Sequence, residues 1–318
     1  MQSRTLGQHG PAVPPICLGG NVYGWTLSES DTFRQLDRAV EAGLNFIDTA
    51  DMYSNWVPGH EGGESEAIIG KWFAQSGRRK DVILATKLGN EMGPGMKGLG
   101  AAYMTQALEA SLRRLQTDTI DLYQAHMDDP DTPLEETLTA FDKLVKSGKV
   151  RYIGASNYTG ARLTEAMETS HRNGLASFVS LQPHYNLVER QKFESDLLPV
   201  VEKYQIGVIP YFSLAAGFLS GKYRRGEQAK SARASMVKKY CNENGFAVVD
   251  ALAEIAHAHH ATPARVALAW LLAQPGVTSP IASATNDQQL DDLIAAADLK
   301  LDEASIRRLN EVSAPVAA

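Results

Sequence analysis

Eight short apolar runs alternate with amphipathic helical patterns from one end of the 318-residue chain to the other. Such alternation predicts an α/β protein whose parallel sheet is covered by helices on both faces. Eight units in roughly this length favour a closed (β/α)8 TIM barrel over an open, doubly wound sheet. No break in composition divides the chain, so residues 1–318 read as one barrel domain. It would carry an N-terminal β-hairpin and extra C-terminal helices.

The elements follow in order. "RTLGQHGPAVPPI" reads as a small hairpin able to plug the bottom of the barrel. The candidate strands lie at 15–18, 45–48, 82–87, 120–125, 150–155, 178–182, 207–211 and 277–282. Between the first two, "SDTFRQLDRAVEAG" has helical periodicity, with Ser30 or Asp31 able to cap its start and Gly43 its end. "TPLEETLTAFDKLVKSG" places apolar residues at 134, 138, 141, 144 and 145, with Gly148 as the stop. Arg78-Arg79-Lys80 reads as a solvated helix end.

Composition narrows the function classes. With 44% hydrophobic and 21% charged residues the chain can bury a large core. A net charge of -6 argues against nucleic-acid binding, which needs cations to displace counterions from phosphates. Cys17 and Cys241 are isolated, fit neither a disulfide framework nor a zinc site, and suit a reducing compartment. The N-terminus has no apolar signal-peptide core, and no run approaches the ~18 residues that would suggest a membrane span. The expectation is a cytoplasmic protein acting on a small molecule, with no membrane partner and oligomeric state left open.

"NFIDTADMYSNW" aims a carboxylate, Asp48, out of the end of a buried strand, and carboxylates are rarely buried unpaired. In a barrel of this kind the C-terminal strand ends and the loops after them form the active face. Lys87 closes the next strand, "VILATK", and His126 follows "IDLYQA" in the one after. Tyr53 lies in the loop after Asp48. The three strands are consecutive, so these four groups are expected to meet. A phenol with a pKa near ~10 is a poor acid, but a neighbouring ammonium lowers that pKa and a carboxylate fixes the ammonium. An imidazole across the pocket can donate to a carbonyl oxygen, completing a proton donor and oxyanion site for a carbonyl being reduced.

"NFIDTADMYS", "ILATK", "SLRRLQTDTIDLYQAHMDD", "GKVRYIGASNY" and "YFSLAAGFLSGKY" resemble, in order, the signature blocks of the aldo-keto reductase superfamily in its bacterial form. The resemblance implies a barrel that binds an extended nicotinamide dinucleotide without a Rossmann fold. NADP(H) is the cofactor it favours, with NAD(H) also open. It implies Tyr53 as proton donor, Asp48 and Lys87 as its supporting pair, and His126 orienting the substrate carbonyl. Ser156, Asn157 and Gln182 would hold the carboxamide, and Tyr211 would stack on the nicotinamide ring. Phe212, Ser213, Leu214, Gly217 and Lys222 would take the pyrophosphate, on the logic of other phosphate cradles. Gly20, Asn21, Asp48, Ser283, Thr285, Asn286, Gln289 and Asp292 complete the implied cofactor contacts. Trp25 and Trp56, in the loops after the first and second strands, would wall a substrate pocket beside Tyr53 and His126.

The chain departs from the resemblance in "IASATNDQQLDD", which holds no cation where many relatives grip the adenosine 2′-phosphate with a Lys or Arg. This weakens the expected preference for NADP(H), unless Arg224 or Arg225 folds over the site. "GPGMKG" matches G-x-G-x-x-G, but begins well past Lys87 and contains Pro94, so it reads as a loop over the active face. "EIAHAHH" gathers Glu254, His257, His259 and His260 in a spacing that fits no standard metal site and reads as a helix end. Two functions of different class remain. One is an NAD(P)-dependent carbonyl reductase or alcohol dehydrogenase, and the other a cofactor-bound regulatory protein similar to potassium-channel β subunits. The intact set of four favours the enzyme.

Overall fold

The computed structural model describes residues 1–223, 225–226 and 233–315. Strands β1 (Arg4–Thr5) and β2 (Ala12–Val13) pair antiparallel as the expected hairpin. Leu6, between them, is fully buried. A Cβ on Gly207 would fall 2.4 Å from the backbone nitrogen of Gly7, so the hairpin turn lies directly on the N-terminal end of a barrel strand. The plug is real.

The barrel strands are β3 (Cys17–Gly19), β4 (Phe46–Asp48), β5 (Ile83–Leu88), β6 (Ile120–Ala125), β7 (Val150–Ser156), β8 (Phe178–Gln182), β9 (Gly207–Val208) and β10 (Ile281–Ala282). All pair in parallel, in the order β10-β3-β4-β5-β6-β7-β8-β9. The ring closes where the Thr278 N–H donates to the Val208 carbonyl at 2.8 Å and the Ile281 N–H to the Pro210 carbonyl at 2.9 Å. Inside the ring, Cys17, Phe46, Ala85, Leu122, Ile209 and Ile281 pack with Leu6 and Val13 of the hairpin region.

The helices are α1 (Glu29–Glu41), α2 (Glu64–Ser76), α3 (Ala101–Leu115), α4 (Leu134–Lys146), α5 (Gly160–Asn173), α6 (Leu198–Tyr204), α7 (Ala234–Val237), α8 (Glu243–Ala258), α9 (Pro263–Leu272), α10 (Asp287–Ala296) and α11 (Glu303–Val312). Their apolar faces bury the outer core against the strands, with Trp72, Phe141 and Trp270 among its largest members. No described helix is long and apolar enough to cross a membrane.

Some local expectations are corrected. The cap of α1 is Ser28, which accepts from the Asp31 N–H, and not Ser30 or Asp31. The strands expected at 207–211 and 277–282 are shorter, because Pro210 and Pro280 have no N–H for a ladder. Arg79 is no solvated helix end: its guanidinium reaches Asp121 at 2.8 Å and the Thr119 carbonyl at 2.7 Å, joining adjacent strand entries beneath the barrel. "GPGMKG" is a loop between β5 and α3, turned by the Met96 N–H to Gly93 carbonyl bond, as read from the sequence.

Candidate active site

Asp48 ends β4 with a side chain that is almost wholly buried, and its carboxylate is fully partnered. Oδ2 accepts from Lys87 Nζ at 2.7 Å, and Oδ1 accepts from the amides of Gln124 and Gln182, each at 3.0 Å. Register explains the meeting: Asp48 lies opposite Ala85 of β5, and Lys87 opposite Gln124 of β6. Adjacent strand ends therefore turn these side chains into one space. Lys87 also donates to the Thr49 carbonyl at 2.7 Å and to Tyr53 Oη at 3.1 Å. An ammonium has three hydrogens, and Lys87 has three partners.

The electrostatics differ in part from the sequence-based expectation. Burial pushes the Tyr53 phenol up, and the Lys87 ammonium beside it opposes that rise without cancelling it. Burial works to lower the Lys87 pKa, but Asp48 and Tyr53 together raise it above the usual value, so the ammonium stays charged. His126 lies just past β6, its ring centroid 6.0 Å from that of Tyr53. Burial, and then the charge of Lys87, hold its pKa well below the usual range, so the ring is neutral and can donate one N–H. Its Nδ1 has no hydrogen-bond partner among the described residues.

Trp25, Trp56 and Tyr53 continue this wall. Trp56 meets Tyr53 and Trp25 edge-on, each at 5.7 Å between centroids. Arg233, not singled out in the sequence, places its guanidinium 5.4 Å from the Trp25 ring centroid.

Several of the residues implied for a dinucleotide are linked to these groups by hydrogen bonds. Asn157 donates to the His126 carbonyl at 2.9 Å and accepts from Tyr211 Oη at 2.9 Å. Ser156 donates to the Gln182 carbonyl. Tyr211 is stacked on His184, with centroids 5.2 Å apart and planes inclined by 18°. Past Tyr211, the backbone at Phe212, Ala215, Ala216 and Gly217 takes positive φ. Ser213 turns its hydroxyl to the Pro210 carbonyl, which spends its one side-chain donor. Leu214 carries the turn, its carbonyl accepting from the Gly217 N–H. A Cβ at Gly217 would lie 3.0 Å from Lys222 Nζ, a close approach that glycine permits.

The loops after β3 and β10 also meet. Ser283 Oγ lies 2.7 Å from the Gly19 carbonyl and 2.8 Å from Asn21 Oδ1, and Gly20 accepts from Ser65. Asn286 caps α10 through the Gln289 N–H, while Gln289 Oε1 accepts from the Thr285 N–H and hydroxyl. Asp292 accepts from Arg265 Nε at 2.7 Å. Arg225 is turned away, bonded to Asp250 and lying 5.1 Å from the Phe246 ring centroid; Arg224 lies outside the described residues.

Sequence reasoning missed Gln124 and Arg265. Gln124 could have been found from its spacing, two residues before His126 and so on the opposite face of β6 from the residue between them. Among the described residues no group of three or more His, Cys, Asp or Glu is arranged to hold a metal. In the "EIAHAHH" stretch, His259 Nε2 lies 3.2 Å from Ser305 Oγ and 3.4 Å from Asp302.

The aldo/keto reductase family model matches residues 15–314. The uncharacterized oxidoreductase YrpG of Bacillus subtilis is 37% identical over 98% of this chain and 96% of its own. A probable voltage-gated potassium channel subunit beta of Oryza sativa is 33% identical over 94% of this chain and 92% of its own. The aldo-keto reductase yakc [NADP(+)] of Schizosaccharomyces pombe is 31% identical over 95% of this chain and 88% of its own.

Proposed function

The chain belongs to the aldo/keto reductase family, and from that premise we propose that it interconverts carbonyls and alcohols in the cytoplasm, using NADP(H) or NAD(H). The observation that carries this reading is the spending of all three Lys87 hydrogens on Asp48, Thr49 and Tyr53. Tyr53 Oη receives a hydrogen bond from the ammonium, which leaves the phenol's own proton for a substrate oxygen.

A dinucleotide fits the residues present. Tyr211, backed by His184, offers a ring face for the nicotinamide. Ser156, Asn157 and Gln182 flank it, and the left-handed turn ending at Gly217 brings backbone and Lys222 together where a pyrophosphate would lie. When bound, the dinucleotide supplies the hydride. Tyr53 gives its proton to the carbonyl oxygen, and Lys87 steadies the phenolate that remains. Neutral His126 donates to the same oxygen and fixes the carbonyl's orientation. Asp48 keeps the ammonium in place. In alcohol oxidation each proton step runs in reverse.

The aromatic wall of Trp25, Trp56 and Tyr53 suits aryl aldehydes, hydrophobic ketones and sugars. Met96 and Met127, in the loops after β5 and β6, add exposed apolar side chains to the loops after the strands. The likeness to channel β subunits supports a second reading, in which the bound cofactor serves regulation and turnover is incidental. A panel of carbonyls and alcohols, read by nicotinamide absorbance with both dinucleotides in both directions, tests the proposal. Steady turnover of a carbonyl class supports the enzyme. Tight cofactor binding with no turnover across the panel supports the regulatory protein.

A further inference from the structure

Arg265 stands on the first turn of α9, which Thr262 caps and Pro263 opens. Its Nε is bonded to Asp292 of α10, and its side chain is only 24% exposed. It forms no other side-chain hydrogen bond among the described residues. A guanidinium carries five N–H donors, so four are unspent on a largely covered cation. Such a group is well matched to a planar pair of anionic oxygens.

Its place in the fold says which anion. Pro263, two residues earlier, packs against Gly221: a Cβ there would lie 3.2 Å from the proline ring, and Lys222 is next in the chain. On the other side stands α10, with the Thr285, Asn286 and Gln289 loop at its start. α9, which carries Arg265, thus packs both against that turn and against the helix that follows the 283–286 loop, the two segments that the proposed function gives to the dinucleotide's phosphate–adenosine half. The loop itself has little left to offer a phosphate. Asn286 Oδ1 accepts from the Gln289 N–H and Gln289 Oε1 from Thr285, which leaves only neutral amide donors and no charge. Arg38, from α1, pairs with Asp287 and Asp291.

We propose that Arg265 is the specificity residue for the 2′-phosphate of NADP(H), with Asp292 holding the guanidinium through Nε while its Nη groups face the phosphate oxygens. The inference rests on the dinucleotide reading above, and predicts a preference for NADP(H) without any basic residue in the 283–292 loop.

The test compares ligands that differ only in that phosphate: NADPH against NADH, and adenosine 2′,5′-bisphosphate against adenosine 5′-monophosphate. Binding is followed by quenching of protein fluorescence or by competition with a bound dinucleotide. Arg265→Gln should weaken NADPH and the bisphosphate roughly tenfold or more, the scale of hydrogen bonds to a charged group. NADH and the monophosphate should stay within about twofold, as neither has the phosphate that such a bond would serve. Arg265→Lys keeps the charge without the fork and should fall between. If Arg265→Gln does not fold, Arg265→Lys decides alone: a reduced ratio of NADPH to NADH affinity supports the assignment, and an unchanged ratio overturns it. Equal losses for both ligands of a pair would mark Arg265 as a strut between α9 and α10 and overturn the proposal, as would no loss. If the unmutated protein binds neither dinucleotide, the cofactor reading fails, and this inference with it.

Discussion

Lys87 is the most constrained side chain of the site, fully buried with each of its hydrogens assigned. Replacing it with methionine removes the charge that opposes the rise of the Tyr53 pKa. Reduction by Lys87→Met should be nearly abolished, and the basic limb of any residual pH–rate profile should move to higher pH, because the phenol holds its proton longer. A basic limb at its original position would contradict the assignment. The variant also leaves Asp48 buried without its counter-charge, at a cost of about 3–5 kcal/mol in stability. Asp51, two residues before Tyr53, makes a separate prediction. Both its oxygens are buried, and its pKa is pushed up to about 8, by burial first and then by Glu66, with Arg114 and the Met52 N–H opposing. The native state therefore holds a proton that the unfolded chain releases near pH ~4. Stability from this group is full below that pH and is lost as pH rises toward about 8. Asp51→Asn, which mimics the neutral acid, should flatten the decline between pH 5 and 8 in denaturant melts. A variant with the wild-type slope would rule this out. Asp48, Lys87, Tyr53 and His126 were legible in the sequence because the barrel rule makes consecutive strand ends neighbours. Gln124 was overlooked, although its spacing from His126 marks it, because an amide near a strand end looks like any other lining residue until its partner is known.

Among the elements, those bounded by local chemistry were read well and those bounded by tertiary contact were not. α4 runs to Lys146 and gives way at Gly148, whose φ is +77°. Periodicity and a stop residue suffice there. The strands at 207–211 and 277–282 were read by apolarity alone, which took no account of the missing N–H groups of Pro210 and Pro280. Arg79 and Arg265 share another cause: each bonds to a residue on a different element, and a cation's distant partner leaves no mark near it in the chain. Packing between α2 and α3 gives an element-scale prediction with a reversed sign. Gly70 sits inside α2, where glycine to alanine ordinarily stabilises by about 1 kcal/mol. A Cβ there would fall 2.1 Å from the Arg114 carbonyl and 2.9 Å from the Leu115 Cα, backbone atoms that cannot swing aside. Gly70→Ala should instead destabilise by about 1–3 kcal/mol, the range for overpacking. A raised melting temperature would show that the two helices separate more easily than their contact implies.

At the scale of the whole molecule, the closed ring brings residues from far apart in the chain to one face. Ser283 of the last strand's loop meets Asn21 of the first, and Gln182 reaches Asp48 across 134 positions. The hairpin fills the opposite end, leaving one face for chemistry. On the proposed reading, this face reduces carbonyls with Tyr53 as the proton donor. Steady-state reduction by Tyr53→Phe tests it most directly, because only one hydroxyl is removed and cofactor affinity can be measured on the same sample. Dinucleotide binding should be unchanged, and kcat should fall by at least ~10²-fold for every carbonyl the unmutated protein reduces, the scale of a positioned general acid. A Tyr53→Phe protein that binds cofactor and keeps near-normal kcat on any of those carbonyls would contradict it.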